Sequence, residues 1–142
     1  MAKAQTKTKK STAGAPLAHG VGRRKSSVAR AWLRRGKGDI IVNGLDYQSY
    51  FDTRETRLDA ASSLKIAPKG EQYDVQINVC GGGKTAQAGA VRLAVARAFV
   101  EQNEELKPIF RKEGMLTVDS RVKERKKPGQ PGARRKFQFV KR

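Results

Sequence analysis

The chain has 142 residues, with 31 Lys and Arg against 13 Asp and Glu, a formal charge of +18 and an isoelectric point near 10.6. That length suits one domain with a modest core, and so large an imbalance of charge implies a polyanionic partner. Cys80 and His19 stand alone in their kinds, which excludes an intrachain disulfide framework and argues against a structural zinc site; no apolar run spans a bilayer and no charged–apolar–small leader opens the chain, so neither a membrane partner nor secretion is expected.

The charge is unevenly placed. Residues 1–38 hold eleven cations and no acid, residues 39–120 hold ten cations and twelve acids, and residues 121–142 hold ten cations and only Glu124. The three blocks carry +11, −2 and +9, which describes a near-neutral middle between two basic arms.

Residues 1–19, "MAKAQTKTKKSTAGAPLAH", offer almost nothing apolar to bury and are expected to form a disordered basic arm. The globular part is expected over 20–117. In "GVGRRKSSVAR" three consecutive cations, Arg23, Arg24 and Lys25, precede a strand from Ser27 to Leu33. Its alternation sets Val28, Arg30, Trp32 and Arg34 on one face and Ala29, Ala31 and Leu33 on the other. Gly20 and Gly22 resemble the start of a dinucleotide fingerprint, but Lys25 occupies the third glycine position and no strand is expected before it. "RGKG" then reads as the turn of a hairpin to a second strand, Asp39 to Asn43.

Two helical patterns follow, about Asp46 to Phe51 and Glu55 to Lys65. Tyr73, Val75, Ile77 and Val79 alternate with polar neighbours as a half-buried strand. A helix from about Thr85 to Glu101 puts Ala88, Val91, Val95 and Ala98 or Phe99 at core spacing, and a last short helix spans about Glu104 to Lys112 and stops at Gly114. The fold class expected is α+β, a small mostly antiparallel sheet of about four strands with helices on one face. An extended basic tail is expected over 118–142, where Pro128, Gly129, Pro131 and Gly132 forbid regular structure.

"CGGGKTAQAGAVRLAV", Cys80 to Val95, joins strand to helix through three glycines. Helix N-termini carry unpaired N–H groups and attract phosphate. Three readings compete. Gly83-Lys84-Thr85 matches the end of a Walker A loop, but Asn78 stands where its first glycine belongs, and no Asp-ended strand offers a magnesium ligand. The glycines can equally serve only a tight connection. The third reading, a grip on a nucleic-acid backbone by the helix N–H groups and Lys84, agrees best with the charge, and no enzyme, cofactor or small-molecule substrate is expected. A free basic chaperone or DNA-compacting protein is the alternative function.

Together, "GVGRRKSSVARAWLRRGKGDIIVNG", "VCGGGKTAQAGAVRLAVARAF" and "DSRVKERKKPGQPGARRKFQFVKR" closely resemble the S-nine family of small-subunit ribosomal proteins over about residues 20–142. The resemblance implies a structural protein in the head of the small subunit, on the 3′ major domain of its ribosomal RNA and beside neighbouring head proteins. It also implies a four-stranded sheet with helices packed on it, in a ribosome of bacterial or organellar form; a cytoplasmic ribosome is the location expected, with an organellar one the alternative. The family's Gly-Arg-Arg-Lys element falls on Gly22, Arg23, Arg24 and Lys25, its glycine-rich element on Gly81, Gly82, Gly83 and Gln87–Ala90, and its tail elements on Glu124–Lys127 and Ala133–Arg135.

With the basic residues read above, the candidate rRNA contacts are Arg23, Arg24, Lys25, Arg30, Gly81, Gly82, Gly83, Lys84 and Gln87, then Arg121, Lys123, Arg125, Lys126, Lys127, Arg134, Arg135 and Lys136. Lys141 and Arg142 are implied to approach the anticodon stem-loop of the peptidyl-site tRNA. Phe137, where the tail commonly has proline, and Phe139 can stack on bases or anchor the tail on protein neighbours.

Overall fold

The computed structural model describes residues 15–66 and 72–139; most of the basic arm, the "PKG" turn and the tail tip Lys141–Arg142 lie outside the described residues. Strands β1 (Ala18–Arg24), β2 (Ser27–Arg35), β3 (Ile40–Val42) and β4 (Leu45–Asp46) come first, then helices α1 (Tyr47–Tyr50) and α2 (Arg54–Ile66). Strand β5 (Tyr73–Cys80), α3 (Lys84–Gln102), a 3-10 turn (Glu104–Leu106) and α4 (Lys107–Lys112) complete the domain. The α+β class is as expected, with five strands rather than four, in the order β1-β2-β5-β3-β4.

The two-residue β4 is not expected, since the sequence reads as helix from about Asp46, and two further strand assignments differ from expectation. A strand, β1, runs into the Arg23–Lys25 cluster as far as Arg24 and takes in Ala18 and His19 from the stretch read as arm. Seven of the eleven cations in residues 1–38 therefore lie on the sheet or its loops, and the first basic block is largely part of the domain. The second difference is the hairpin. β2 pairs antiparallel with β1 and β5, while β3 pairs parallel with β5 and never meets β2.

Asp74 explains why "RGKG" is no hairpin turn. Its Oδ1 accepts the N–H groups of Lys37, Gly38 and Asp39 at 2.7, 3.0 and 3.1 Å, so the loop wraps the start of β5 and carries the chain past it. A Cβ on Gly36 would lie 1.9 Å from Asp74 Cγ, so only glycine fits that wrap. The parallel β3–β5 pair needs a long return, which β4, α1 and α2 supply.

Burial of alternate residues builds the core. Ala29, Ala31 and Leu33 of β2 and Val75, Ile77 and Val79 of β5 face α3, which is buried on nearly every side because α2 covers its back. Ser63 of α2 donates to the Arg92 carbonyl at 2.8 Å, and Arg92 pairs with Asp59 at 3.0 Å. Phe99 stacks on Phe110 of α4 and meets Tyr73 edge-on.

β1 is built for the closest approach of α3. A Cβ on Gly20 would sit 2.0 Å from the Ala94 carbonyl oxygen, and one on Gly22 would sit 2.1 Å from that of Ala90. The glycine pair that imitates a dinucleotide fingerprint is thus a helix-packing groove. Arg97 of α3 donates to the Val21 carbonyl at 2.7 Å and Glu101 accepts from His19 N–H at 2.8 Å, which satisfies part of the outer edge of this end strand.

Candidate nucleic-acid interface

Arg24↔Ser27 is the last register pair of the β1–β2 hairpin, so Lys25 and Ser26 form a two-residue loop. Such loops need left-handed backbone, and Lys25 has φ of 52°. The cations of "RRK" consequently diverge. Arg23 lies exposed on the sheet face away from α3, Lys25 stands at the tip, and Arg24 turns inward across Gly89 of α3.

Arg24 connects this loop to the root of the tail. Its guanidinium donates to the Thr85 carbonyl at 3.4 Å and lies 3.4 Å from Asp119 Oδ2. Asp119 also accepts a fork from Arg121, with Nε and Nη2 both at 2.9 Å, and the Arg121 backbone N–H at 3.1 Å. These bonds from Arg121, with a smaller part from Arg24, hold the Asp119 carboxyl well below the usual carboxylate range, and the fork raises Arg121 in turn.

Between them lies an open cleft of about 370 Å³, lined by Arg24, Lys25, Asp119, Arg121, Val122 and Lys123. Four cations from opposite ends of the domain meet here with a single acid, whose oxygens are already occupied. The structure thus brings together Arg24, Lys25, Arg121 and Lys123, four of the residues that the sequence singles out.

The glycine turn is largely accounted for by packing. Gly81 and Gly82 have φ of 74° and 62°, and a Cβ on them would lie 2.3 Å from Ser26 O and 2.1 Å from Ser27 Oγ. Ser27 is buried and donates to the Gly81 carbonyl at 2.9 Å. Gln87 donates to the same carbonyl at 3.1 Å and accepts from Tyr50 Oη at 2.9 Å, so its amide braces the turn. Lys84 turns away from the helix end: its Nζ donates to the Tyr50 carbonyl at 2.7 Å and lies 3.6 Å from the centre of that ring. Gly83, the N-cap, has open space beside it. The first N–H groups of α3 remain available to an anion, but Lys84 is not aimed at the same place.

Among the described residues beyond Asp119, through Phe139, the tail has neither helix nor strand, as its prolines imply. It does fold back once. Arg134 donates to both Glu124 oxygens, Nε at 3.0 and 2.9 Å and Nη2 at 2.6 Å, and Lys127 N–H reaches the Gly132 carbonyl at 3.4 Å. The bond lowers the Glu124 carboxyl and raises Arg134. Arg125, Lys126 and Lys127 ride on this loop, Arg135 and Lys136 follow it, and all five are exposed. Phe137 and Phe139 are 67% and 99% exposed, with nothing of the described fold to pack on.

Sequence reasoning missed Asp119, because one acid before a basic run reads as ordinary punctuation. It also passed over Trp32 and His19, whose rings meet at 5.3 Å beside Arg30 on the outer sheet face. The alternation of Trp32 with Arg30 and Arg34 was the available signal. Among the described residues there is no cluster of His, Cys, Asp and Glu suited to a metal ion, and no helix is long and apolar enough to cross a membrane.

Its sequence places the chain among the ribosomal proteins, structural components rather than enzymes. The chain belongs to the ribosomal protein S9/S16 family, whose pattern matches residues 22–142. It is 52% identical over 122 residues to the small ribosomal subunit protein uS9 of Cytophaga hutchinsonii, covering 86% of this chain and 95% of that one. The protein of the same name from Chlorobaculum parvum is 50% identical over the same shares. That of Borrelia turicatae is 47% identical over 129 residues, 91% of this chain and 95% of the relative.

Proposed function

We propose that this chain binds small-subunit ribosomal RNA in the subunit head, on its 3′ major domain, in a cytoplasmic ribosome of bacterial type. Neighbouring head proteins are its protein partners. The tail carries its tip, Lys141 and Arg142, to the peptidyl-site tRNA. One observation carries the reading: the cleft in which Arg24 and Lys25 of the hairpin meet Arg121 and Lys123 of the tail root. Contact to RNA is dominated by phosphate and shape, and a cleft with a net excess of three cations suits a backbone bend. The bacterial relatives, all named as small-subunit proteins, support the placement.

Binding of the full chain to a transcript of the 3′ major domain, followed across a salt series, tests this. Replacing Arg24 and Arg121 together by Ala should make the slope of log affinity against log salt shallower by about 0.7–0.9 per lost contact. Circular dichroism checks that the domain remains folded. An unchanged slope overturns the cleft as the RNA site, and equally tight binding to generic duplex DNA favours a compaction protein instead. Deleting Lys141 and Arg142 should leave subunit assembly intact and lower peptidyl-site tRNA affinity, most visibly at raised salt, in filter binding to purified subunits.

A further inference from the structure

The sheet face turned away from α3 presents three cross-strand rows. His19, Trp32 and Gln76 form one, Val21, Arg30 and Asn78 the next, and Arg23, Val28 and Cys80 the third. The only acid of β1, β2 and β5 is Asp74, whose Oδ1 is taken up by three backbone N–H groups of the 37–39 loop. Among the described residues, the side-chain amides of Gln76 and Asn78 and the guanidiniums of Arg23 and Arg30 have no hydrogen-bond partner. The face therefore combines an aromatic pair, the cations Arg23 and Arg30 with Arg34 at its end opposite Asp74, and two amides, with little large apolar surface.

We infer that this face receives unpaired RNA nucleotides, with a base stacked on Trp32 beside His19, phosphates on Arg30 and Arg23, and base edges on Gln76 and Asn78. Every base has a face that stacks on an aromatic ring, so a tryptophan flanked by cations is the chemistry of a single-strand platform. The amides supply both donors and acceptors for base edges. A protein partner fits less well, because the centres of protein interfaces are depleted in charge. A duplex fits less well too, because its bases are already stacked. Arg23 lies two residues from Lys25 of the cleft, and Trp32, four residues beyond Arg23's partner Val28, lies about 13 Å further along β2, so a strand held in the cleft can continue across the sheet. The inference rests on the rRNA reading above and adds a second surface to it.

Trp32 is the only tryptophan of the chain, so its emission reports on this face alone. The full chain is titrated with a single-stranded RNA of about eight nucleotides, within the usual site size, and with a blunt RNA duplex of the same length. The single strand should quench Trp32 and the duplex should bind without quenching. Trp32→Ala should weaken single-strand binding by about five- to a hundred-and-fifty-fold, the range for one lost stacked base, and leave duplex binding unchanged. Asn78→Ala, at an exposed position, should weaken only the single strand, and it serves if the tryptophan variant misfolds. The Arg24→Ala, Arg121→Ala double variant should weaken both ligands. If it does while the single strand leaves wild-type emission unchanged, the platform is overturned and the rRNA reading stands. If neither RNA binds the wild type, both fall. An emission change that appears only with other small-subunit proteins overturns the platform in favour of a protein contact.

Discussion

Arg134 closes on Glu124 with its guanidinium fork spanning both carboxylate oxygens, and the ten-residue step between them becomes a basic loop. Glu124 is the only acid beyond Asp119, so its charge opposes a polyanionic partner unless it shapes the cations around it. Glu124→Gln raises the net charge by one, and long-range attraction alone would then tighten RNA binding. The loop geometry predicts the reverse, a loss of about two- to fivefold, the scale of an exposed ion pair. Swapping the two residues, Glu124→Arg with Arg134→Glu, should restore most of it. Filter binding at two salt concentrations decides, and tighter binding by Glu124→Gln would show that the fork has no shaping role.

Gly20→Ala drives a methyl group into the Ala94 carbonyl at the β1–α3 crossing. It should cost about 1–3 kcal/mol or more, as overpacking does in a tight core, and Gly22→Ala should behave alike. Gly83→Ala meets open space at a φ of −103° and should cost under about 1 kcal/mol. Urea unfolding of the three variants gives the comparison.

Lys84→Ala removes a cation held on Tyr50. A modest loss of thermal stability is expected, with rRNA affinity nearly unchanged. A loss of affinity as large as that of a cleft variant would mean that Lys84 leaves Tyr50 when RNA arrives.

Asp119 ties the tail root to the hairpin, and its folded-state carboxyl lies below the usual range. A depressed carboxyl contributes stability that is fully present above the unfolded value, about 4, and is lost as pH falls below it. Amide exchange at Arg121, whose N–H is bonded to Asp119, should therefore be flat from about pH 5 to 8 once corrected for intrinsic rates, and protection should fall below about 4. Asp119→Ala, which removes the acceptor, should expose that amide at every pH. Protection that persists in the variant would deny the tether.

Limited trypsin digestion of the free protein should cut at Arg125 and Lys126, though not at Lys127 before Pro128, well before Arg23, Arg24 and Lys25. Arg125 and Lys126 ride an exposed loop, whereas the last three belong to a paired hairpin. Equal rates would contradict the pairing of β1.

Much of this was legible because burial imposes a period. Ala29, Ala31 and Leu33 announce β2, and Ala88, Val91 and Val95 announce α3, since each sits where its element must turn inward. Strand partners were not legible, because alternation reveals a face and not a neighbour. β3 and β5 look equally suited to β2, and the choice depends on Asp74, a single carboxylate 35 residues beyond Asp39. β1 escaped because Gly20 and Gly22 weaken a strand pattern for the sake of a helix known only after folding. Charge counting found the cleft's cations but not their convergence, which requires the path of the tail past Arg24.

The insertion of β5 between β2 and β3 also sets an order of events during synthesis. The β1–β2 hairpin and the segment that becomes β3 emerge first, yet both wait for residues 73–80 before their central ladders can form. For roughly forty residues of elongation β2 offers an open edge, at about 5–20 residues per second a wait of seconds. Arg30, Arg34 and Arg35 punctuate that edge with like charges, which keep two nascent chains from pairing with each other. The same arginines that give the finished domain part of its basic face thus protect the unfinished one from aggregation.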